Sequence, residues 1–591
     1  MEEESDLYQF GPFCLDTREH VLLRDGRLVS LAPKPLSTLL VLVRNTGHVV
    51  EKDILMAEVW PDEDVEEGNL AQHIFRLRRA LGETTGKPRY IETVPGRGYR
   101  FLGAVRETND VSTLTTLGIR SQRISDQQID DRPPHSLAVL PFVNAGNDSA
   151  LEHLSDGISE SLINSLSHLP KLRVKAWNTV FRYKRRDLDP GDIGCQLRVQ
   201  SVLVGRVQVS GDKLIIATEL VDAANGWLIS GHTYNSELSD ILEIQDEIAR
   251  EISVALQLGL TGEEEQRLTK HYTESPEAYR AYLKGRFFLN KRSEEGFQKS
   301  IDYFNQAMET DASYAQAYAG LADSYNLLGF YGILAPKNSF PRAKTAALKA
   351  LIIDSELAEA HASLAYAKFY HDWDWRGARE SFKRSIQLNP RYATAPHYYA
   401  NQLTAMGKFE ESIATFKQAL DIDSLSLIMN AALGWAYYFA RRYDEAIEQC
   451  RKAVEMDEHF EMAHLWLGWA YEQKGMFAEA NGEFETAFAL SGGRVGVIAE
   501  MGNAFALSGN TERAHKVLED LHELAMRKYV SPYGVACIHA ALGEVDRAFE
   551  WLEKAYADRA HLLVFLRVDP KLDALRGDPR LSDLIERTGL A

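Results

Sequence analysis

Small side chains recur every 34 residues through the second half of this 591-residue chain. The series consists of Ala378, Ser412, Ala446, Ala480, Ala514 and Ala548. Twelve residues before every member but the first stands another small residue, and these are Ala400, Gly434, Gly468, Gly502 and Ala536. Because small residues let two helices cross closely, this spacing predicts stacked helix pairs over most of the second half.

The pattern resembles the tetratricopeptide (TPR) repeat. Two further repeats, centred on Ser300 and Ala343, carry insertions between their paired helices, yet 22 residues still separate Ala343 from Ala365 in the next repeat. We count about eight repeats, assign residues 270–591 to a TPR solenoid, and expect residues 568–590 to close it as a cap. Such a solenoid has a long concave face, and the resemblance implies that a protein or peptide binds there.

A helical pattern near the amino terminus, residues 69–82, carries a cluster of arginines and is called the basic helix below. Its apolar stripe consists of Leu70, Ile74, Leu77 and Leu81. The opposite face carries Gln72, Arg76 and Arg79, with His73 and Arg78 on the flanks. Residues 67–101 hold seven basic and three acidic side chains, a local charge of +4. An arginine-rich face is usually only solvated, so this helix alone leaves DNA binding open.

The segments around the basic helix follow a definite order. Apolar runs at residues 8–10, 13–16, 21–24 and 28–31 predict four strands, with a hairpin turn at Asp25-Gly26. Helical patterns follow at residues 33–45 and 51–60, and Pro61 ends the second. A short hairpin with Arg97 at its tip follows at residues 90–101. The predicted plan is four strands, three helices and a carboxyl-terminal hairpin.

This plan resembles the OmpR/PhoB-type winged helix-turn-helix DNA-binding domain over nearly all of Tyr8–Leu102, and we assign residues 1–105 to it. The matching positions are Leu22, Arg24, Gly26, Leu39, Leu40, Gly47, Trp60, His73, Ile74, Leu77, Arg78, Leu81, Tyr90, Ile91, Thr93, Val94, Gly98, Tyr99 and Phe101. Ala32 and Pro35 depart from the Thr and Glu that many members have, which removes one expected phosphate contact but not the fold.

The resemblance implies how this domain would contact double-stranded DNA. The residues expected to face the major groove are Gln72, His73, Arg76 and Arg79. Arg97, on the wing, would enter the minor groove, where an arginine reads groove width. The residues expected at phosphates are Lys87, Arg89, Thr93 and Arg100, which would set the register without reading sequence. A homodimer on DNA is compatible with this arrangement.

The loop at residues 61–68 is acidic, since Asp62, Asp64 and Glu66 alternate before Gly68. A calcium-binding EF-hand loop needs its glycine at the sixth position and a glutamate at the twelfth. Here the glycine comes one residue late and His73 takes the twelfth position, so we expect no metal site. In the resembled family this loop joins the last two helices and can touch RNA polymerase, which an acidic loop allows.

The middle of the chain has a different character. Residues 106–134 are rich in Thr, Ser, Asp and Gln and end in Pro133-Pro134, which predicts a flexible linker. Residues 135–262 then alternate predicted strands and helices. The stretches Ala138–Phe142, Ser155–Gly157 and Leu220–Ala223 resemble the TolB amino-terminal-like α/β domain. Ligand sensing, self-association and a purely structural spacer all remain open for this domain.

Whole-chain features limit the remaining interpretations. The net charge of −19 opposes non-specific adhesion to nucleic acid, so DNA binding must be local. The four cysteines are far apart, which argues against disulfides and a zinc site and fits a reducing compartment. No apolar run approaches the ~18 residues of a membrane span, and the first residues are acidic rather than signal-like. We expect a cytoplasmic location, no membrane segment, no receiver domain before Tyr8 and no cofactor.

The predicted fold class is multidomain α/β plus all-α, with a winged helix-turn-helix, a small α/β domain and a TPR α-solenoid. The favoured function is a soluble, sequence-specific transcriptional regulator whose α/β and TPR regions receive a signal or a protein partner. The alternative is a TPR scaffold whose winged helix mainly contacts protein. The outward arginines and Arg97 favour the regulator. Common catalytic motifs such as a Walker A loop or HExxH are absent from the sequence, so we expect no enzyme.

Overall fold

The computed structural model describes residues 7–17, 21–24, 27–29, 33–59, 70, 73–74, 77–78, 80–83, 90–94, 97–108, 135–145, 151–184, 189–268 and 272–590. Strands and helices mix in the first half and helix pairs fill the second half, which confirms the predicted fold class. The chain divides into two compact units, residues 1–131 with 224–227 and residues 132–223 with 228–591.

The first unit contains two small antiparallel sheets. Its strands are β1 (Leu7–Phe10), β2 (Phe13–Asp16), β3 (Val21–Arg24), β4 (Arg27–Val29), β5 (Val49–Glu51), β6 (Ile91–Val94), β7 (Gly98–Phe101) and β8 (Arg106–Thr108). One sheet has the order β4-β3-β2-β1-β8 and the other β5-β7-β6. The strand β8 corrects the predicted linker at residues 106–134, because Arg106 and Glu107 pair with Gln9 and Tyr8 of β1.

Two described helices, α1 (Pro33–Arg44) and α2 (Lys52–Val59), pack with the basic helix on these sheets. The second helix was predicted to begin at residue 51, but Val49–Glu51 instead pairs with β7. Four aromatic rings fill the space between the sheets, and the Phe10 and Phe101 ring centroids are 5.0 Å apart at a near-perpendicular angle. This core is continuous with the apolar stripe of the basic helix.

The second unit begins with an α/β domain. Its strands are β9 (Ser136–Val139), β10 (Val143–Asn144), β11 (Arg173–Val174), β12 (Ser201–Ser210), β13 (Lys213–Asp222) and β14 (Leu228–Glu237). Its helices are α3 (Glu152–Ser167), α4 (Trp177–Phe181), α5 (Pro190–Leu197), α6 (Ile241–Ala255) and α7 (Gly262–Leu268). The sheet order is β11-β9-β12-β13-β14, with β10 beside β12. The strand β9, which lies between β11 and β12, is buried on both faces, and Leu137, Ala138 and Val139 give it no polar face.

Eight helix pairs follow. They are α8 (Pro276–Asn290) with α9 (Glu294–Thr310), α10 (Ala315–Phe330) with α11 (Pro336–Ile353), α12 (Ala358–Ala367) with α13 (Trp375–Leu388), α14 (Thr394–Ala405) with α15 (Phe409–Ile422), α16 (Leu427–Phe439) with α17 (Tyr443–Met456), α18 (Glu461–Gln473) with α19 (Phe477–Leu490), α20 (Val495–Leu507) with α21 (Thr511–Leu524), and α22 (Pro532–Ala541) with α23 (Val545–Ala557). The small residues of both 34-residue series are buried where these helices meet.

One irregularity in the spacing has a visible structural counterpart. Ala365 and Ala378 are 13 residues apart, whereas the corresponding residues of the later repeats are 12 apart. Immediately after α12 the chain forms one π-helical turn, Lys368–Asp372, and Trp373 then takes a left-handed φ of 59°. A π turn takes up a single extra residue without breaking the helix direction. The extra residue therefore leaves the stacking of the repeats intact.

The carboxyl-terminal segment does more than close the array. Two 3₁₀ turns, His561–Phe565 and Pro570–Leu575, precede the last helix, α24 (Pro579–Arg587). The Phe565 ring stacks on Phe439 of α16 with centroids 4.6 Å apart, and His561 contacts Phe330 of α10. We call residues 561–575 the inner segment, because its partners include Phe330 of α10, Phe439 of α16, Trp469 of α18 and Glu500 of α20, all on the first helices of their repeats. The cap predicted at residues 568–590 is therefore partly wrong, since the segment begins earlier and lies along that shared face.

The inner segment brings a buried charge to the array. Lys571 is 8% exposed, contacts the Glu500 carboxylate, and has its Nζ 3.6 Å from the centroid of a Trp469 ring. Beside it, Glu472 is 2% exposed and accepts a 2.8 Å hydrogen bond from Asn503 Nδ2. Burial raises the pKa of Glu472 to about 8, with Lys571 opposing the shift. The cluster therefore keeps a proton that an exposed glutamate would release.

This proton makes stability depend on pH. Between the ordinary glutamate pKa of 4.5 and the folded value of about 8, the folded state binds more protons than the unfolded state. Stability should therefore fall as pH rises through this window, and Glu472→Gln should make the Tm–pH curve flatter. The measurement is thermal unfolding from pH 5 to pH 8.5, with the exposed Glu485→Gln as the matched control. Parallel curves for wild type and Glu472→Gln would contradict the assignment.

Candidate nucleic-acid interface

The basic helix is held by its apolar stripe. Leu70, Ile74, Leu77 and Leu81 are each 3% exposed or less. The described residues of this segment that are helical are 70, 73, 74, 77, 78 and 80. The predicted DNA-facing residues Gln72, Arg76 and Arg79, and the predicted phosphate contacts Lys87 and Arg89, lie outside the described residues.

Both flanks of the basic helix contact neighbouring elements. On one side, His73 is half-buried and its Nδ1 lies 3.4 Å from Thr38 Oγ1 of α1. On the other side, Arg78 donates from Nη2 to Ile91 O at 2.9 Å and to Thr93 Oγ1 at 2.8 Å. Helical periodicity puts these two residues on opposite sides of the stripe. The rotation of the helix is therefore fixed from both sides.

Glu83 connects the end of the basic helix to the wing. Its carboxylate accepts from the backbone N–H groups of Tyr90 and Ile91 and lies 3.5 Å from Arg78 Nε. The Glu83 side chain is only 3% exposed, and its charge is balanced by Arg78. Sequence reasoning assigned no role to Glu83 and left Arg78 on a solvated flank. The sequence signal for this role was the glutamate directly after Gly82. In the structure Gly82 has a left-handed φ of 72°.

The wing tip is positioned by backbone contacts. Arg97 N–H donates to Val94 O at 3.1 Å, and Lys52 N–H donates to Arg97 O at 3.3 Å. A Cβ atom on Gly98 would lie 2.0 Å from Val50 O, so only glycine lets β5 and β7 approach this closely. The Arg97 side chain is exposed. An exposed arginine on a fixed backbone is what insertion into a groove requires.

The other two described candidates already have partners within the wing. Thr93 is exposed and its Oγ1 accepts the hydrogen bond from Arg78. Arg100 is half-buried, and its Nη1 lies 3.3 Å from Glu92 Oε2 on the neighbouring strand. Any phosphate contact by these residues would be shared with these internal partners. Among the described residues there is no cluster of His, Cys, Asp and Glu that could hold a metal ion.

Three parts of the chain match known families. Residues 26–101 match the family described as transcriptional regulatory protein, C terminal. Residues 134–253 match the second domain of HilA/YgeH-like transcriptional regulators. Residues 400–459 and 431–492 match the tetratricopeptide repeat. The second of these matches shows that the α/β domain is similar to the second domain of HilA/YgeH-like regulators. Its resemblance to the TolB amino-terminal-like domain stays a prediction.

Relatives with regulatory names cover much of the chain. Transcriptional regulator HilA of Salmonella typhimurium is 26% identical over 442 residues, which are 73% of each chain. The chain is a DNA-binding transcriptional regulator. Its amino-terminal part is also 40% identical over 88 residues to the transcriptional regulatory protein CutR of Streptomyces coelicolor, covering 15% of this regulator and 39% of CutR. These matches favour the regulator over the TPR scaffold.

A solved structure adds a further resemblance. The DNA-binding domain of Escherichia coli CadC is 27% identical and is covered completely by 18% of this regulator, with a TM-score of 0.17. The family match over residues 26–101 gives the regulator DNA as a partner through its winged helix, and its TPR repeats are of a kind that supports protein partners. In the described part of the chain, every helix is too short or too polar to cross a membrane.

The Arg78 contacts make a measurable contribution to the wing. Arg78→Ala should remove its hydrogen bonds to Ile91 and Thr93 and its contact with the buried Glu83 carboxylate. A charged hydrogen bond contributes about 1.5–3 kcal/mol, so we expect faster amide exchange across Ile91–Val94. Hydrogen–deuterium exchange of the full-length regulator measures this change. Arg106→Ala, at an exposed side chain of β8, is the control, and unchanged exchange in Arg78→Ala would refute the bridge.

Proposed function

We propose that the basic helix reads the major groove with Gln72, His73, Arg76 and Arg79, while Arg97 enters the adjacent minor groove. The observation that supports this proposal most strongly is the orientation of the helix. Its apolar stripe is buried, and its two flanks contact α1 and β6. Helical periodicity then predicts that the side chains on the remaining face point away from the core. His73 stands at the edge of this set because part of its ring faces Thr38.

Lys87, Arg89, Thr93 and Arg100 form the phosphate-binding set in this proposal. All four belong to the wing hairpin or to the chain that leads into it, beside the groove-reading helix. Phosphate contacts supply affinity for any sequence and depend on salt, whereas contacts to base edges discriminate among sequences. The two sets are therefore separable by experiment.

The two sets differ in what their loss would change. Arg76→Ala should cost about 1–3 kcal/mol on the preferred site and relax its sequence preference. Lys87→Ala should weaken binding to all sequences and reduce the salt slope by about one. Sites selected from random DNA by the full-length regulator provide the target, and Arg106→Ala is the basic control outside both sets. Equal losses on selected and random DNA for Arg76→Ala would contradict the groove assignment.

The domain limits are part of the same proposal. The DNA-binding domain extends from residue 1 to at least Thr108, because β8 completes its first sheet. The linker then covers residues 109–134, the α/β domain 135–262 and the TPR array 270–591. The α/β domain and the repeats receive the signal or the protein partner. The inner segment already covers part of the face formed by the first helices of the repeats, so a partner on that face would bind beside it.

Further properties belong to this proposal. The regulator acts in the cytoplasm, has no enzymatic activity, and binds DNA as a homodimer. The acidic loop at residues 61–68 contacts RNA polymerase, although it lies outside the described residues. Its three alternating acids, Asp62, Asp64 and Glu66, support this role because they do not belong on a DNA-facing surface.

The polymerase contact predicts a separation of activities. A variant with Asp62→Asn, Asp64→Asn and Glu66→Gln should keep its DNA affinity, since removing negative charge does not weaken attraction to phosphates. Transcription from a promoter that carries the selected site should fall severalfold. Gel-shift and in vitro transcription assays with the same protein preparation measure both quantities. Unchanged transcription would overturn the loop assignment and leave the DNA-binding residues unaffected.

A further inference from the structure

A cavity of about 150 Å³ lies inside the second unit, between the α/β domain and the first helices of the repeats. Two contacts close it. Asp423, after α15, accepts from Asn178 Nδ2 at 2.9 Å and from Thr179 Oγ1 at 2.7 Å, both on α4. Arg286 of α8 pairs with Glu160 of α3 at 2.6 Å. The cavity is therefore a built feature of the domain contact, and its volume is close to that of a cavity that admits benzene.

The carboxylates that line the cavity are each engaged. Glu160 accepts from Arg286 and also from Asn290 Nδ2 at 3.3 Å. Asp423 is held by the two α4 side chains described above. Asp323 is 7% exposed and accepts the hydroxyl of Ser363. Burial raises the pKa of Asp323 to about 6 and also raises the pKa of Asp423.

Two arginines of the lining have no such partner. Arg292 and Arg391 are both partly buried. Within the described part of the chain, no carboxylate oxygen lies within 4 Å of either guanidinium. The groups around Arg292 include the phenols of Tyr331, Tyr398 and Tyr366, and the Asp323 carboxylate interacts with it from beyond hydrogen-bond distance. The neighbour of Arg391 is another cation, Arg173, and burial together with this neighbour lowers the pKa of Arg391.

Partly burying a cation that has no carboxylate within hydrogen-bond distance costs part of its hydration free energy. Proteins retain such groups where a ligand supplies the missing charge, and the loss of stability is the trade-off for binding. The remaining lining offers apolar area and neutral hydrogen-bonding groups. Trp177, Leu327, Ile428 and Met429 supply the apolar area. His397 is 5% exposed, and burial lowers its pKa to about 3, so it is a neutral polar group.

We propose that this cavity binds a small organic anion, with Arg292 and Arg391 of its lining supplying positive charge for a carboxylate or phosphate and a compact apolar body lying against Trp177. A peptide is disfavoured because the inner segment fills the groove beyond Trp435, where Phe565 lies 4.7 Å from the Trp435 ring. The ligand would contact the α/β domain and the repeats at once. Its binding would therefore favour the closed contact between them, which makes it a candidate for the signal that the regulator receives.

The test uses the full-length regulator and two probes that share a phenyl ring, benzoate and phenyl phosphate. Neutral benzamide is the matched probe without charge. Calorimetry should detect binding of at least one anion and none of benzamide, and the stronger anion identifies the head group. Arg292→Met and Arg391→Met should each weaken that binding about tenfold or more, as the loss of a charged hydrogen bond implies. Arg384→Met, at an exposed arginine of α13 outside the cavity, should leave it unchanged.

Thermal unfolding of the variants without ligand distinguishes a ligand-binding role of Arg292 from a purely structural one. If Arg292 serves a ligand, Arg292→Met should keep or raise the Tm, because a partly buried cation with no carboxylate within 4 Å has been replaced by an apolar side chain. Three outcomes would overturn the proposal. Neither anion binds, benzamide binds as well as the anions, or Arg292→Met lowers the Tm while anion binding persists. All readouts are independent of DNA, so their failure leaves the proposed DNA-binding residues untouched.

Discussion

Close approach between paired helices sets the geometry of the repeat array. A Cβ atom at Gly434 would lie 2.4 Å from Cys450 Sγ, and one at Gly468 would lie 2.4 Å from the Phe484 ring. The helices of these pairs can meet at this distance only because one side chain is missing at each crossing. The repeated crossings align the first helices along one face. That face is the surface against which both the α/β domain and the inner segment pack.

The DNA-binding unit depends on a different kind of constraint. Its apolar stripe decides which face of the basic helix is buried, but a stripe alone leaves the helix free to roll by some tens of degrees. The contacts of His73 with Thr38 and of Arg78 with Ile91 remove that freedom. Glu83 adds hydrogen bonds from the end of the helix to the wing. The basic helix and the wing, which we propose to read DNA, thus share one rigid support, as simultaneous contact with two neighbouring grooves would need.

Periodicity predicted the elements whose partners are local. The stripe Leu70–Leu81, the helix pairs and the buried strand around Ala138 all follow from spacing within one segment. Pairings between distant segments did not follow. Strands β5 and β8 have three residues each, too few to show a pattern, and exist because β7 and β1 offer free edges. The positions of Gln72, Arg76, Arg79, Lys87 and Arg89 stay predictions, since they rest on helical spacing and resemblance.

The inner segment has a consequence for how the array forms during synthesis. An ordinary solenoid can fold progressively, because each repeat contacts only its neighbours. Here Phe565 and Lys571 contact residues from Phe369 to Glu500, so the shared face is complete only when these late residues have been made. Until then its tryptophans and tyrosines face water, and the nascent chain is exposed to misassembly. A chain that stops short of residue 561 would leave the ribosome with that surface still open.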